Sequence, residues 1–234
     1  MANTIDYLLQ DSKAALLAVE TNRPVLTEKG FTEAAYTGFV EARNALKTTE
    51  LAQQKAVKNA GDKTAIQDAV MQEVTELLKS VRNAAKSAFG KDERILKQFK
   101  IGEKIPGTVK KLSTTCEYMV GVVEDKKTDL LKSGLVQADL DSLTSAKERL
   151  ESSDAEQELA KKQQESATLV RDKAAKLMKE KLDSLRNFVA AAFAKKPEIA
   201  VQFKPIPKGR GGKGKPGDKP DDTTPPDTPT PPAQ

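Results

Sequence analysis

SVRNAAKSAFGKDERILKQFK (80–100) and SLRNFVAAAFAKKPEIAVQFK (184–204) are two versions of one text. Ten of the 21 positions are identical without a gap: Ser80/Ser184, Arg82/Arg186, Asn83/Asn187, Ala88/Ala192, Phe89/Phe193, Lys91/Lys195, Ile95/Ile199, Gln98/Gln202, Phe99/Phe203 and Lys100/Lys204. The offset of 104 residues also pairs Leu26 with Leu130, Gly30 with Gly134, Ala42 with Ala146 and Leu46 with Leu150. Agreement in one register over that length reads as a tandem duplication of a unit of about a hundred residues, an ordinary domain size. The boundaries follow as 1–103 for the first unit, 104–207 for the second and 208–234 for a tail.

Inside each unit the apolar residues recur with a helical period. Ile5, Leu8, Leu9, Leu16 and Val19 mark a first helix, which Asn22-Arg23-Pro24 should end because the residue before proline avoids the helical region. Phe31, Ala35, Phe39, Ala42, Leu46 and Ala56 mark a second, with Gly61-Asp62 read as its stop and the next N-cap. Ile66, Val70, Val74, Leu77, Val81, Ala85 and Ala88 mark a third, closed near Gly90 and followed by a short element holding Ile95, Leu96 and Phe99. The second unit repeats this with Val109, Leu112, Cys116, Met119 and Val123, then Leu135, Leu143, Ala146, Leu150 and Leu159, then Leu169, Leu177, Leu182, Leu185 and Val189. Its second and third helices have no clear break. The gapless register favours a turn near Ser166 over a fused rod. The expected fold is all-α: two three-helix units, each with a short fourth element, in an elongated antiparallel bundle with a disordered C-terminal tail.

Composition removes most chemistry. The chain has 234 residues, no His, no Trp and one Cys. Imidazole catalysis, histidine metal sites, cysteine-cluster metals and an intramolecular disulfide are impossible. Cys116 falls on the apolar side of its helix with no base to activate it, so it reads as a core residue. Carboxylates are many but form neither a calcium loop nor paired Glu-x-x-His motifs. No cofactor and no metal are expected, and no enzyme. An enzyme built on Tyr7, Tyr36 or Tyr118 with lysines or carboxylates finds no telling spacing to support it.

The charges, 39 basic against 34 acidic, nearly cancel and should lie on solvated helix faces. No stretch has the length and purity of a membrane span, and MANTIDYLLQ is not read as a secretory leader, so a cytoplasmic location away from membranes is expected. Residues 208–234 are rich in Gly, Pro, Thr and Asp and hold too little apolar surface to order themselves.

Two roles compete for the repeated signature. As packing, Phe89 and Phe99 would close the end of the third helix while Arg82 and Asn83 fix the turn that follows. As a binding surface, Arg82, Asn83, Lys91, Gln98 and Lys100, with Arg186, Asn187, Lys195, Gln202 and Lys204, would offer two related basic patches for carboxylate or phosphate groups. The run KGRGGKGK adds Lys208, Arg210, Lys213 and Lys215 as an electrostatic hook. The expected function is a non-enzymatic helical scaffold or adaptor that binds protein partners or itself. The alternative is a nucleic-acid-associated protein with little sequence preference, using the basic patches and the tail together.

Overall fold

The computed structural model describes residues 2–206, with side chains from Thr4 onward. The expected tail, with Lys208, Arg210, Lys213 and Lys215, lies outside the described residues. Among the described residues all regular structure is helical. In chain order the α-helices are α1 (Ala2–Thr21), α2 (Arg23–Glu28), α3 (Glu33–Phe89), α4 (Glu93–Gln98), α5 (Val109–Asp125), α6 (Lys127–Lys132), α7 (Gln137–Ala192) and α8 (Pro197–Ala200). A 3-10 turn, Val201–Phe203, follows α8.

Element positions recur at the spacing of the sequence identities. Lys127–Lys132 begins and ends 104 residues after Arg23–Glu28. Gly30 and Gly134, which follow these short helices, both take a left-handed backbone, at φ 93° and 100°. That conformation favours glycine, and it turns the chain into the long helix beyond. At the start of α3 the Thr32 hydroxyl accepts from the Ala35 amide at 3.2 Å, a side-chain N-cap.

The break expected at Gly61-Asp62 does not occur. α3 runs through it for 57 residues, and α7 likewise runs through Ser166 for 56. A stopping glycine takes a left-handed backbone, and Gly61 does not. An interior glycine costs a helix only about 1 kcal/mol. Packing outweighs that penalty, because α7 lies antiparallel along α3 with cross-links on both sides of it. Glu50 faces Arg171 at 3.9 Å, Lys63 meets Glu156 at 2.6 Å, Gln67 donates to Asp154 at 2.6 Å, and Glu73 pairs with Arg149 at 2.8 Å. At 1.5 Å per residue each rod is about 85 Å long.

Continuous rods decide where the third segments pack. One core joins Leu112, Cys116, Met119 and Val123 of α5 and Leu140, Leu143 and Leu150 of α7 to Val74, Leu78, Val81 and Ala85 from the far end of α3. The other joins Ala15 and Val19 of α1 and Phe39, Ala42 and Leu46 of α3 to Met178, Leu182, Leu185 and Val189 from the far end of α7. Each three-helix end thus takes two helical segments from one sequence half and the third from the other. Neither half encloses a core from its own residues alone.

Between the two cores lies a waist. Strictly between Leu46 and Val70 on α3, and between Leu150 and Ala174 on α7, no residue belongs to either core. Among the described residues this interval of about 35 Å holds only two helices. Its buried side chains are small or polar: Ala60, Gln67, Ser153, Gln157 and Ala160. Among the described residues no helix is long and apolar enough to cross a membrane.

Candidate functional site

The antiparallel rods place the two signatures at opposite ends of the molecule. Residues 80–100 close the α5 end and residues 184–204 close the α1 end. Their ten described candidate residues therefore form two separate groups.

At the α1 end Arg186 holds two partners. Its Nε donates to the Phe203 carbonyl at 2.8 Å and its Nη2 to Asp11 Oδ1 at 2.7 Å. Asp11, on α1, is 3% exposed and also accepts from the Ile206 amide at 3.1 Å. Tyr7 donates to the Ile206 carbonyl at 2.6 Å. Gln202 accepts from Asn22 at 2.8 Å, which ties the 3-10 turn to the end of α1. Phe193 and Phe203 are buried beneath. Arg186 thus clamps the C-terminal segment against α1. Asn187, Lys195 and Lys204 are exposed.

At the α5 end the same arginine is differently placed. Arg82 is 9% exposed, and its Nη1 donates to the Glu103 carbonyl at 2.7 Å. Its Nε and Nη2 are buried without a hydrogen-bond partner among the described residues. Burial lowers its pKa from the ordinary value, and the charge of Glu103 partly opposes that shift. The residue 104 positions after Asp11 is Thr115, whose hydroxyl donates to the Lys111 carbonyl of its own helix at 2.8 Å. No carboxylate from α5 takes the place that Asp11 holds for Arg186. Beside Arg82 lies a cavity of about 250 Å³, lined by Lys79, Asn83, Lys86, Ile101 and Ile105. Phe89 stacks on the buried Phe99 with ring centroids 6.2 Å apart. Lys100 takes φ 51° and sets its ammonium 4.8 Å from the centre of the Tyr118 ring. Lys91 and Gln98 are exposed.

The two arginines of the signature are therefore internal clamps, and the exposed lysines are spread over both ends. Cys116 is fully buried, and desolvation pushes its thiol up to about 11, opposite to the shift that activates a nucleophile. Among the described residues no group of three or more potential metal-ligating side chains comes together.

Two features escaped the sequence reading. Asp11 follows Leu8 by three residues and precedes Ala15 by four, on the apolar stripe of α1. A carboxylate there was a signal for a buried partner. The waist shows Leu51, Ile66, Leu159, Leu169 and Val170 exposed, between 47% and 64%. Nothing in the sequence distinguished them from core residues, because the helical period continues through them.

Fold and site together define an all-α protein of two long antiparallel helices capped at each end by a shorter one. Comparison with protein-family models, with curated proteins and with solved structures finds no match to the chain.

Proposed function

We propose that the chain is a non-enzymatic helical scaffold, built from two tandem copies of one unit, whose waist receives a further helix. The observation that carries this reading is the exposed apolar set of the waist. Among the described residues both ends have a third helix covering α3 and α7, and the waist has none. Large apolar side chains concentrated in one region mark an interaction surface more often than scattered ones do. Helix packing supplies the mode: an amphipathic partner laid along two parallel ridges completes a bundle. In the simplest arrangement that partner is the waist of a second copy, which gives four helices around a common core.

The duplication reading is supported by the identities at 104 residues and by the recurrence of element positions and of left-handed glycines at that spacing. The waist follows the same pattern. Gln67 with Asp154 and Arg171 with Glu50 are one cross-link written twice, 104 residues apart in both members. A cytoplasmic location accords with this role.

Sedimentation velocity of the full chain over a wide concentration range tests the proposal. A triple variant, Leu159→Glu, Leu169→Glu and Val170→Glu, should keep the helical circular dichroism. Reversible association of the natural chain and its loss in the variant are expected. A natural chain that stays monomeric throughout overturns self-association through the waist.

A further inference from the structure

We propose that the groove between α1 and the C-terminal part of α7 is the docking site of the chain's own proline- and aspartate-rich stretch, 220–232. The groove has a volume of about 550 Å³. Ile5, Tyr7, Leu8 and Leu182 give it apolar walls, and Lys176 and Lys179 give it cations. Pro205 lines it as well. Both polar backbone groups of the next residue are held by α1: Asp11 accepts from the Ile206 amide at 3.1 Å, and Tyr7 donates to the Ile206 carbonyl at 2.6 Å. Residue 207 therefore starts beside the groove. Residues 207–219 span up to about 43 Å when extended. Along α7 the groove runs from Arg186 to Ala175, about 16 Å, so 220–232 can reach all of it.

The α5 end shows the same place filled. Ile101, 104 positions before Pro205, packs against that core together with Ile105, so the chain that follows the first signature lies on the core. Met71, the counterpart of Ala175, packs there too. At the α1 end the smaller Ala175 lines an open groove, and the chain that follows the second signature is the tail. The stretch 220–232 matches the groove in chemistry. It holds Pro220, Pro225, Pro226, Pro229, Pro231 and Pro232, with Asp221, Asp222 and Asp227 and no basic residue. A proline-rich chain favours the extended polyproline form, which docks on aromatic and aliphatic grooves with little further loss of entropy. The carboxylates face Lys176 and Lys179. Among the other charged groups of the lining, Arg186 and Asp11 pair at 2.7 Å and Asp183 offsets one lysine, so a positive surplus remains. Tethering at Ile206 supplies an effective concentration of roughly millimolar order, enough for a weak contact to form.

The test places a nitroxide at Thr228→Cys in the full chain, with Cys116→Ser to remove the native thiol, and reads paramagnetic broadening of backbone amides by NMR. The amides of Ala175, Lys176 and Lys179 should lose more intensity than that of Asn187, which neighbours Arg186 and lies closer to the tether at Ile206. Lys176→Glu with Lys179→Glu, both at exposed positions, should abolish that preference. Asp221→Lys with Asp222→Lys and Asp227→Lys should abolish it as well, and the two sets combined should restore it. Broadening that simply declines with distance from Ile206 overturns docking in the groove. A preference that survives either charge reversal, or that the combined variant does not restore, overturns the pairing of aspartates with lysines. Broadening of an unlabelled, isotope-enriched chain by a labelled second chain overturns docking within one molecule.

Discussion

Replacing the same arginine in each signature should have unequal consequences. Arg186→Gln removes two hydrogen bonds, to the Phe203 carbonyl at 2.8 Å and to Asp11 at 2.7 Å. It leaves a carboxylate whose side chain is 4% exposed with only the Ile206 amide as partner. Breaking a buried pair from one side costs about 3–5 kcal/mol. The Arg186 side chain is 19% exposed, so some solvent screening remains and about 2–4 kcal/mol is expected. For a body of this size each kcal/mol lowers Tm by about 2–4 °C. Arg82→Gln removes one bond, worth about 1 kcal/mol, and relieves a guanidinium with two buried unsatisfied nitrogens. Its net effect should lie within about 1 kcal/mol of zero. Urea denaturation followed by circular dichroism measures both variants on one scale. Equal destabilisation by the two, or a larger cost for Arg82→Gln, would refute the asymmetry between the two clamps.

Further outcomes follow from the packing. Phe193→Ala should cost about 3–5 kcal/mol, because the ring is 1% exposed, whereas Phe89→Ala should cost less, because Phe89 is only partly buried; the same urea series separates them. Cys116 should resist thiol reagents in the folded protein and react on unfolding. Its raised pKa has a sign: below pH 9 both states keep the proton, while between 9 and about 11 the unfolded chain ionises and the folded one does not. Stability should therefore fall with rising pH across that window, by up to roughly 3 kcal/mol, and Cys116→Ala should show a shallower slope in the same range. Residues 2–206 should not bind mixed-sequence DNA or RNA at moderate salt, since Arg82 and Arg186 face inward and the exposed lysines of the two signatures are divided between two ends. Fluorescence anisotropy would contradict this by showing salt-sensitive binding of that fragment.

Much of the fold was legible in the sequence because packing writes a helical period. Leu8, Val19, Leu46, Val74 and Val81, with their partners 104 residues on, specify helices and their inward faces. A helix boundary was legible where proline enforces it, as at Pro24. Gly61-Asp62 misled because its effect depends on what lies across from it. A glycine that ends an isolated helix is carried through by a partner rod pinned by Lys63–Glu156 and Gln67–Asp154. The exchange of third segments was invisible for the same reason: hydrophobic period tells which face is buried, and the continuity of the rod tells against what. At the candidate site the sequence found the arginines and not their fates. Asp11 against Thr115, one of the many positions at which α1 and α5 differ, separates the satisfied clamp from the unsatisfied one.

The continuity of α3 carries the whole arrangement, and a distance measures it. Spin labels at Glu41→Cys and Ser80→Cys, both exposed and on either side of Gly61, with Cys116→Ser to remove the native thiol, can be read by pulsed electron double resonance. A continuous helix sets these positions about 58 Å apart. A peak near that distance is predicted. A peak below about 30 Å, as for two antiparallel helices packed roughly 10 Å apart after a turn at Gly61-Asp62, would contradict the exchanged architecture and everything built on it.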